Sequence, residues 1–305
     1  MSCPSRSSGG RGPAPGRPRR ATAGGGSAVE KLIITVALNG AEVTREQNPH
    51  IPFTPEEIAE DAARCRAAGA AMVHVHGRLP DGTPTQDAAV YKEILEAIRA
   101  RTDVIVQVST GGAVGMTAEE RLAPVTLRPE MASLTTGTVN FGSDVFFNPP
   151  DLIETFARTM RQYGVVPEIE AFDVGHIDNA LALVKKGILD LPLHFDFVMG
   201  VPGGIAGTIR NLLHMAESLP PGCTWSVAGI GRAQLPLATA AILLGGHVRV
   251  GLEDNIYYAR GVKATNLMLV ERIVRLANEL GREVATPDEA RRILGINREG
   301  DRDKS

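Results

Sequence analysis

Two histidines that lie two residues apart on an apolar run could supply half of a metal site. In the stretch Met72–Gly77, His74 and His76 alternate with valines. Side chains of a β-strand alternate between its two faces, so both imidazoles would point the same way if this run is a strand. A third ligand must then come from another segment. The carboxylate of Glu253 is the best candidate.

Two imidazole nitrogens and one carboxylate oxygen, with a fourth position left open, are the ligand set of a catalytic zinc ion. Such an ion polarises a carbonyl group or activates water. The simpler alternative is two core histidines that hydrogen-bond to neighbouring strands. The in-phase pair Arg249 and Glu253 favours the metal site over that alternative.

The segment from Arg249 to Asp254 carries charges that could perform acid–base chemistry. Arg249, Gly251 and Glu253 would share one face of a strand by its period of two, with the following aspartate at the strand's end. A buried arginine beside two acids is costly unless every charge is paired, so a structural ion-pair network is one interpretation. In the other, Arg249 orients and tunes Asp254 as a general base near the metal. The residues alone do not separate the two.

Further polar residues follow other predicted strands. Ser109 begins a turn with Thr110 and Gly111 in which glycines let backbone amides approach an anion, although such a sequence is more often only a turn. Glu170 would point into the fold and either pair with the arginine of the last strand or contact a polar or cationic substrate group. Glu42 is a second such carboxylate or a solvated loop acid, and the loop interpretation is slightly favoured.

Short β-branched runs alternate with longer helical segments from residue 31 onward. Eight strands, each followed by a helix over about 250 residues, predict a (β/α)8 TIM barrel; a doubly wound open sheet is the rival. Active-site residues of such a barrel collect at the carboxyl ends of the strands, where His74 and His76 fall. The predicted strands are Leu32–Ala37, Met72–His76, Val104–Ser109, Met131–Thr136, Pro167–Phe172, His194–Met199, Thr224–Ala228 and Val248–Glu253.

Helices are predicted between these strands from amphipathic periodicity and from capping residues. Thr54 and Pro55 begin the first helix, and Gly69 ends it. A short extra helix after the barrel is signalled by Thr286 and Pro287. The predicted helices are Pro55–Ala68, Asp87–Ala100, Thr117–Leu122, Asp151–Tyr163, Asp178–Lys186, Ala206–Glu217, Leu235–Leu244, Asn266–Leu280 and Pro287–Leu294.

Composition limits the cellular setting of this 305-residue chain. Residues 1–28 are rich in Gly, Pro, Ser and Arg and predict a disordered tail, which leaves 29–305 as a single catalytic domain. A formal charge of −3 indicates no general affinity for nucleic acid. No apolar run reaches the roughly 18 residues of a membrane span. Three cysteines without paired spacing indicate a reducing cytoplasm rather than a disulfide framework.

With these segments in view, the chain resembles the β-keto acid cleavage enzymes over residues 31–295. The resemblance implies a zinc-dependent TIM barrel, usually a homotetramer. Such an enzyme condenses a β-keto acid with acetyl-CoA by a retro-Claisen acyl transfer and yields acetoacetate and a new acyl-CoA. The resemblance rests on four segments taken together: His74–Arg78, Ser109–Gly112, Glu168–Asp173 and Arg249–Asn255.

The resemblance also assigns roles to single residues. It makes Asp254 the base, tuned by Arg249 and Ser109. If Glu42 enters the pocket, a substrate with a positive group is expected, because its counterpart in an amino-substrate member of the family faces an ammonium. The implied metal ligands are His74, His76 and Glu253. Together with the glycine turn, the substrate-binding set comprises Glu170, Ser133, Thr110, Gly111 and Glu42.

Two alternatives to this activity stay open. One is another metal-dependent barrel lyase, aldolase or hydrolase. An amidohydrolase is expected to carry its His-x-His pair on the first strand, whereas the pair here falls on the second. The other alternative is a non-catalytic barrel with a structural metal. The acid Asp254 beside the ligand set argues against it, because a structural metal needs no adjacent free base.

Overall fold

The computed structural model of this protein describes residues 30–296, so the tail predicted for residues 1–28 lies outside the described residues. Eight parallel strands close into a barrel in which neighbours in sequence are neighbours in space. The predicted TIM barrel is therefore confirmed. The strands are β1 (Ile34–Ala37), β2 (Met72–Val75), β3 (Ile105–Val108), β4 (Met131–Thr135), β5 (Val166–Ala171), β6 (His194–Met199), β7 (Thr224–Gly229) and β8 (His247–Val250).

Helices surround the barrel and connect its strands. The first helix has the predicted cap: Thr54 Oγ1 accepts from the Glu57 backbone N at 3.2 Å, and Pro55 occupies the first helical position. The helices are α1 (Pro55–Ala68), α2 (Ala88–Arg101), α3 (Ala118–Leu122), α4 (Pro150–Tyr163), α5 (Val174–Lys185), α6 (Ile209–Glu217), α7 (Gln234–Leu244), α8 (Asn266–Glu279) and α9 (Pro287–Leu294).

Three predicted boundaries are wrong by more than two residues. Strand β8 ends at Val250, not at Glu253, because the chain turns at Gly251. Helix α5 begins at Val174, earlier than predicted. His176 stabilises this early start, because its Nδ1 accepts from the Phe172 backbone N at 3.2 Å. Helix α6 begins at Ile209, where the Thr208 side chain caps it.

The barrel interior is apolar at its floor and polar above. Inward side chains of the first four strands pack together at the floor, and α9 covers them from below through Ala290. The predicted extra helix therefore closes the end of the barrel opposite the active-site mouth. The floor residues are Ile33, which directly precedes β1, and Met72, Ile105 and Met131 of β2–β4.

Short antiparallel hairpins at the mouth follow β2, β4 and β8. The hairpin after β4 pairs Val139–Phe141 with Asp144–Phe146, in a region where the sequence predicts only a loop. None of the helices within residues 30–296 is long and apolar enough to cross a membrane.

Candidate active site

His74, His76 and Glu253 meet at the carboxyl end of the barrel. The Nε2 atoms of the two histidines are 3.2 Å apart. The Glu253 carboxylate lies 3.7 Å from His74 Nε2 and 3.5 Å from His76 Nε2. His76 follows β2, and the Asn39 side chain fixes its backbone with two hydrogen bonds of 2.9 and 3.0 Å. Three potential ligand atoms from two distant segments thus face one point.

These three side chains fit a zinc ion. Tetrahedral ligands at about 2.0–2.1 Å from zinc are roughly 3.3–3.4 Å from each other, close to the separations found between these atoms. Burial lowers the pKa of His74 to about 4, so its imidazole is neutral and can ligate at neutral pH. Glu253 Oε2 is buried without a hydrogen-bond partner among the described residues. A bound cation would satisfy that oxygen.

A turn at Gly251 brings Glu253 and Asp254 to the site. Gly251 has φ 148°, and the backbone N of Asp254 donates to its carbonyl at 3.2 Å. A Cβ at Gly251 would lie 2.0 Å from the carbonyl oxygen of Ala37 in β1. Only glycine allows this close approach, so the position of both acids depends on it.

Replacing Gly251 with alanine is expected to destabilise the protein by roughly 2–5 kcal/mol, from the clash with Ala37 and the strained backbone. Urea unfolding of the metal-free protein measures this loss. Gly245→Ala is the matched control, because Gly245 has φ 83° but open space around its Cβ. It should cost only about 1–2 kcal/mol. Equal losses in the two variants would contradict the proposed clash.

Arg249 holds the acids of the site in an ion-pair network. Its Nε and Nη2 donate to the two oxygens of Asp254 at 3.0 and 2.9 Å, and Nη2 also donates to Glu253 at 2.7 Å. Its Nη1 lies 3.4 Å from both Glu170 and Asp196. The structural network expected as one interpretation is therefore present. A catalytic role for Asp254 is compatible with it.

The network contains more negative than positive groups. One guanidinium faces four carboxyl groups. Burial, followed by the nearby Glu168, raises the pKa of Asp196 well above its usual range, which favours the neutral form of this acid. Burial also raises the pKa of Asp254 to about 6, although Arg249 opposes the shift. A divalent cation beside Glu253 would offset the remaining excess of negative charge.

A cavity of about 250 Å³ opens onto these groups at the barrel mouth. Its polar lining includes both histidines, Ser109, Gly111 and Glu170. Glu42 also lines it, from the loop after β1, and its side chain is exposed there. An apolar wall also lines the cavity and consists of Val43, Val114, Phe141, Phe146, Phe172, Val198, Val201 and Ile230.

Thr110 and Ser133 lie behind the cavity wall. Thr110 Oγ1 donates to the Ser133 carbonyl at 2.6 Å, and the Thr110 backbone N donates to Ser133 Oγ at 3.2 Å. Neither belongs to the described residues that line the cavity, although the sequence places both in the substrate-binding set. Their hydrogen bonds fasten the loop of Ser109 to β4. A substrate-binding role for either residue stays a prediction.

Sequence analysis missed three polar residues that contact the site residues. Gln107 contacts the ring of His74, Asp196 contacts Arg249, and Asn39 fixes His76. The first two occupy inward positions of β3 and β6. Gln107 is two residues from Ser109, and Asp196 is two residues from His194. The alternation of each strand therefore predicts that both side chains point inward.

Comparison with known proteins identifies the family. The model of the beta-keto acid cleavage enzyme family matches residues 31–296. The chain is 54% identical over 273 residues to the 3-keto-5-aminohexanoate cleavage enzyme of Fusobacterium nucleatum, covering 88% of this chain and 100% of that protein. It is 42% identical over 272 residues to the 3-oxoadipate:acetyl-CoA acetyltransferase of Cupriavidus necator, covering 88% and 95%.

A more distant relative and a solved structure extend the comparison. The 3-dehydrocarnitine:acetyl-CoA trimethylamine transferase of Rhizobium meliloti is 37% identical over 292 residues, covering 88% of this chain and 97% of that protein. The apo structure of ObcA matches with a TM-score of 0.73 at 24% identity, covering 81% of this chain and 66% of that chain, which supports the fold alone. The family match and the 54% identity together establish that this chain belongs to the beta-keto acid cleavage enzymes, confirming the resemblance found in its sequence.

Proposed function

We propose that this chain uses a zinc ion to condense a β-keto acid with acetyl-CoA, giving acetoacetate and a new acyl-CoA. The observation that carries the proposal is the convergence of His74, His76 and Glu253 at a cavity that also contains an arginine-held aspartate. Acetyl-CoA as the second substrate is supported by the names of two relatives, an acetyl-CoA acetyltransferase and an acetyl-CoA trimethylamine transferase.

The proposed reaction exchanges acyl groups between two carbon frameworks. The bond between C2 and C3 of the keto acid breaks, and its C3 acyl group joins the sulfur of coenzyme A. The acetyl group of acetyl-CoA joins C2, and the acetoacetate formed from this acetyl group and C1–C2 of the keto acid leaves. Zinc, when bound by its three side chains, would act as a Lewis acid on the keto acid's carbonyl. A base is then needed to remove a proton from C2.

Asp254 is proposed as that base. Its carboxylate lines the cavity next to Glu253, and Arg249 holds both of its oxygens in place. Burial brings its pKa to about 6, which leaves it ionised but still basic at neutral pH. Arg249 also limits its movement, so the carboxylate stays aimed at the substrate.

Ser109 and the apolar wall are proposed to hold the substrate. The Ser109 Oγ accepts from the Gly111 backbone N at 3.1 Å, which leaves its hydroxyl hydrogen free to donate to a substrate carboxylate. Phe141, Phe146 and Phe172 belong to that wall. Their rings would keep water from the thioester and so protect the acyl group from hydrolysis.

The substrate is proposed to carry a positive group. The Glu42 carboxylate at the cavity mouth would face it, and the name of the relative with 54% identity describes an amino-substituted keto acid. Arg78 fixes the backbone around Glu42, since its guanidinium donates to the carbonyls of Gly40 and Val43 at 2.8 Å each. These hydrogen bonds stabilise the loop that carries the Glu42 carboxylate.

Glu42→Gln is expected to lower kcat/KM for 3-keto-5-aminohexanoate by about 10–100-fold, the size of a lost hydrogen bond to a charged group. The neutral 3-oxohexanoate should be cleaved at nearly the original rate, so the ratio of the two values is the measurement. Glu46→Gln, at an exposed acid of the same loop, is the matched control and should change neither. Equal losses for both substrates would show that Glu42 does not recognise charge.

Metal analysis followed by an acyl-CoA assay tests the function as a whole. The purified protein should contain about one zinc per chain and form acyl-CoA and acetoacetate in equal amounts from acetyl-CoA and a suitable keto acid. A panel of cationic, neutral and acidic β-keto acids identifies that acid. Zinc without turnover on any of them would favour another metal-dependent lyase, aldolase or hydrolase, or a non-catalytic metal-binding barrel.

We further propose a homotetramer in the cytoplasm. Exposed apolar side chains on α6 and α7 could be covered by another copy of the chain, and a mass measurement in solution tests the assembly. The free thiols of Cys65 and Cys223 support the cytoplasmic location. The apolar face consists of Ile209, Leu213, Leu235, Leu243 and Leu244.

A further inference from the structure

The second ring nitrogen of His74 has a partner that the proposed mechanism does not use. His74 Nδ1 lies 2.5 Å from Gln107 Oε1, and both side chains are buried. The contact follows from the barrel register, because His74 of β2 is paired directly with Gln107 of β3. The two side chains therefore share one position along the barrel axis and point into the same lumen.

An amide oxygen can only accept a hydrogen bond, so this contact requires the proton of neutral His74 to be on Nδ1. The lone pair is then on Nε2, the nitrogen that faces His76 and Glu253. The opposite tautomer would place a proton where the metal must bind. The orientation of one amide thus decides whether this histidine can act as a ligand.

Glu168 provides a reason for that orientation. It is fully buried on β5, and neither its oxygens nor Gln107 Nε2 has a hydrogen bond of normal geometry among the described residues. His194 lies 3.3 Å from it. Although burial raises the pKa of Glu168, His194 and the Gln107 amide lower it below its usual range. An ionised carboxylate attracts the NH2 end of the amide and repels its oxygen, which leaves the oxygen facing His74.

We propose that Gln107 is a positioning residue that selects the metal-binding tautomer of His74. The inference rests on the proposed metal site but not on the identity of the substrate. Partners of this kind typically change metal affinity by about 10–100-fold when they are removed. Gln107 contacts neither the cavity nor the substrate, and acts only through the histidine.

The test compares Gln107→Met, which keeps the side-chain volume and removes the acceptor, with the double variant Gln107→Glu/Glu168→Gln. The exchange restores an acceptor opposite His74 and conserves the total charge. Gln107→Met should weaken zinc binding by about 10–100-fold in a chelator competition. The double variant should recover most of this loss. Thr35→Val, at a buried hydroxyl without a partner among the described residues, is the lumen control and should bind zinc normally.

The ¹⁵N NMR signals of His74 in the metal-free protein provide a readout that a merely structural role would not change. The wild-type and double-variant rings should be protonated on Nδ1, and the Gln107→Met ring should populate both tautomers. An unchanged tautomer and a zinc affinity within about threefold of wild type in Gln107→Met would overturn the inference. A wild-type protein that binds zinc but cleaves no keto acid would instead reject the proposed reaction, because neither readout depends on turnover.

Discussion

Replacing Asp254 with asparagine is expected to lower kcat by about 10²–10⁴-fold, the usual contribution of a general base. Zinc content should stay at the wild-type value, because Asp254 is not among the three side chains that could hold a metal ion. Asparagine has the same shape but accepts no proton at neutral pH. The measurements are kcat with saturating keto acid and the zinc content of the same sample.

Asp196→Asn is the matched control for this variant. Both aspartates are buried and contact Arg249, but only Asp254 lines the cavity. Burial raises the pKa of Asp196 and favours its neutral form, which asparagine resembles, so activity should change only a few-fold. An Asp254→Asn protein that remained fully active would eliminate this base assignment. A loss of zinc together with activity would mean that Asp254 supports the ligands instead.

The pH dependence of the wild-type enzyme should agree with this assignment. The base must be ionised, so kcat/KM should fall as Asp254 takes up a proton in acid. Its pKa is about 6 without a metal ion. A divalent cation near Glu253 favours the ionised form and moves the fall to lower pH. Adding zinc to the metal-free enzyme and assaying it across this range would show where the acidic limb lies.

The barrel was predictable because each of its strands and helices has a local sequence signal. β-branched runs alternate with amphipathic segments, and capping residues such as Thr54 and Thr286 fall where α1 and α9 begin. Repetition of these signals eight times leaves few other architectures. That His74 and His76 point the same way was predictable for the same reason, because their spacing matches the period of one strand.

The end of β8 was not predictable from alternation. The sequence predicts a straight strand through Glu253, whereas Gly251 turns the chain after Val250. Glu253 still reaches Arg249, because the turn at Gly251 brings its carboxylate to within 2.7 Å of the guanidinium. The prediction therefore places the right groups together for the wrong geometric reason. The close approach of Gly251 to β1 is a long-range contact that no local pattern contains.

Contacts between inward side chains of neighbouring strands depend on the stagger of the closed barrel, which a sequence does not specify locally. Glu168 pairs with His194, and Gln107 with His74, because their strands are in particular registers. Ser133 shows why phase alone is not enough. It is inward-facing by phase, but the hydrogen bonds from Thr110 hold it behind the wall. Phase identifies which residues face inward, and only the register shows which of them meet the cavity.

His74→Ala is expected to remove zinc and activity together. A lost ligand should weaken zinc binding by more than the roughly 100-fold that a supporting residue contributes. It also leaves Gln107 Oε1 buried without its partner, at a cost of about 1–3 kcal/mol in stability. Zinc content after dialysis, kcat and urea unfolding are the measurements.

His176→Ala is the appropriate control for His74→Ala, because it deletes another buried imidazole, one that hydrogen-bonds to the Phe172 backbone. It should cost similar stability while retaining one zinc per chain, so loss of metal in His74→Ala cannot be ascribed to damage of the fold. His74→Ala should lose both metal and activity, whereas Asp254→Asn should lose activity alone. Together the two variants separate metal binding from base catalysis. Full zinc content and full turnover in His74→Ala would show that His74 is not a metal ligand and would return it to the role of a core histidine.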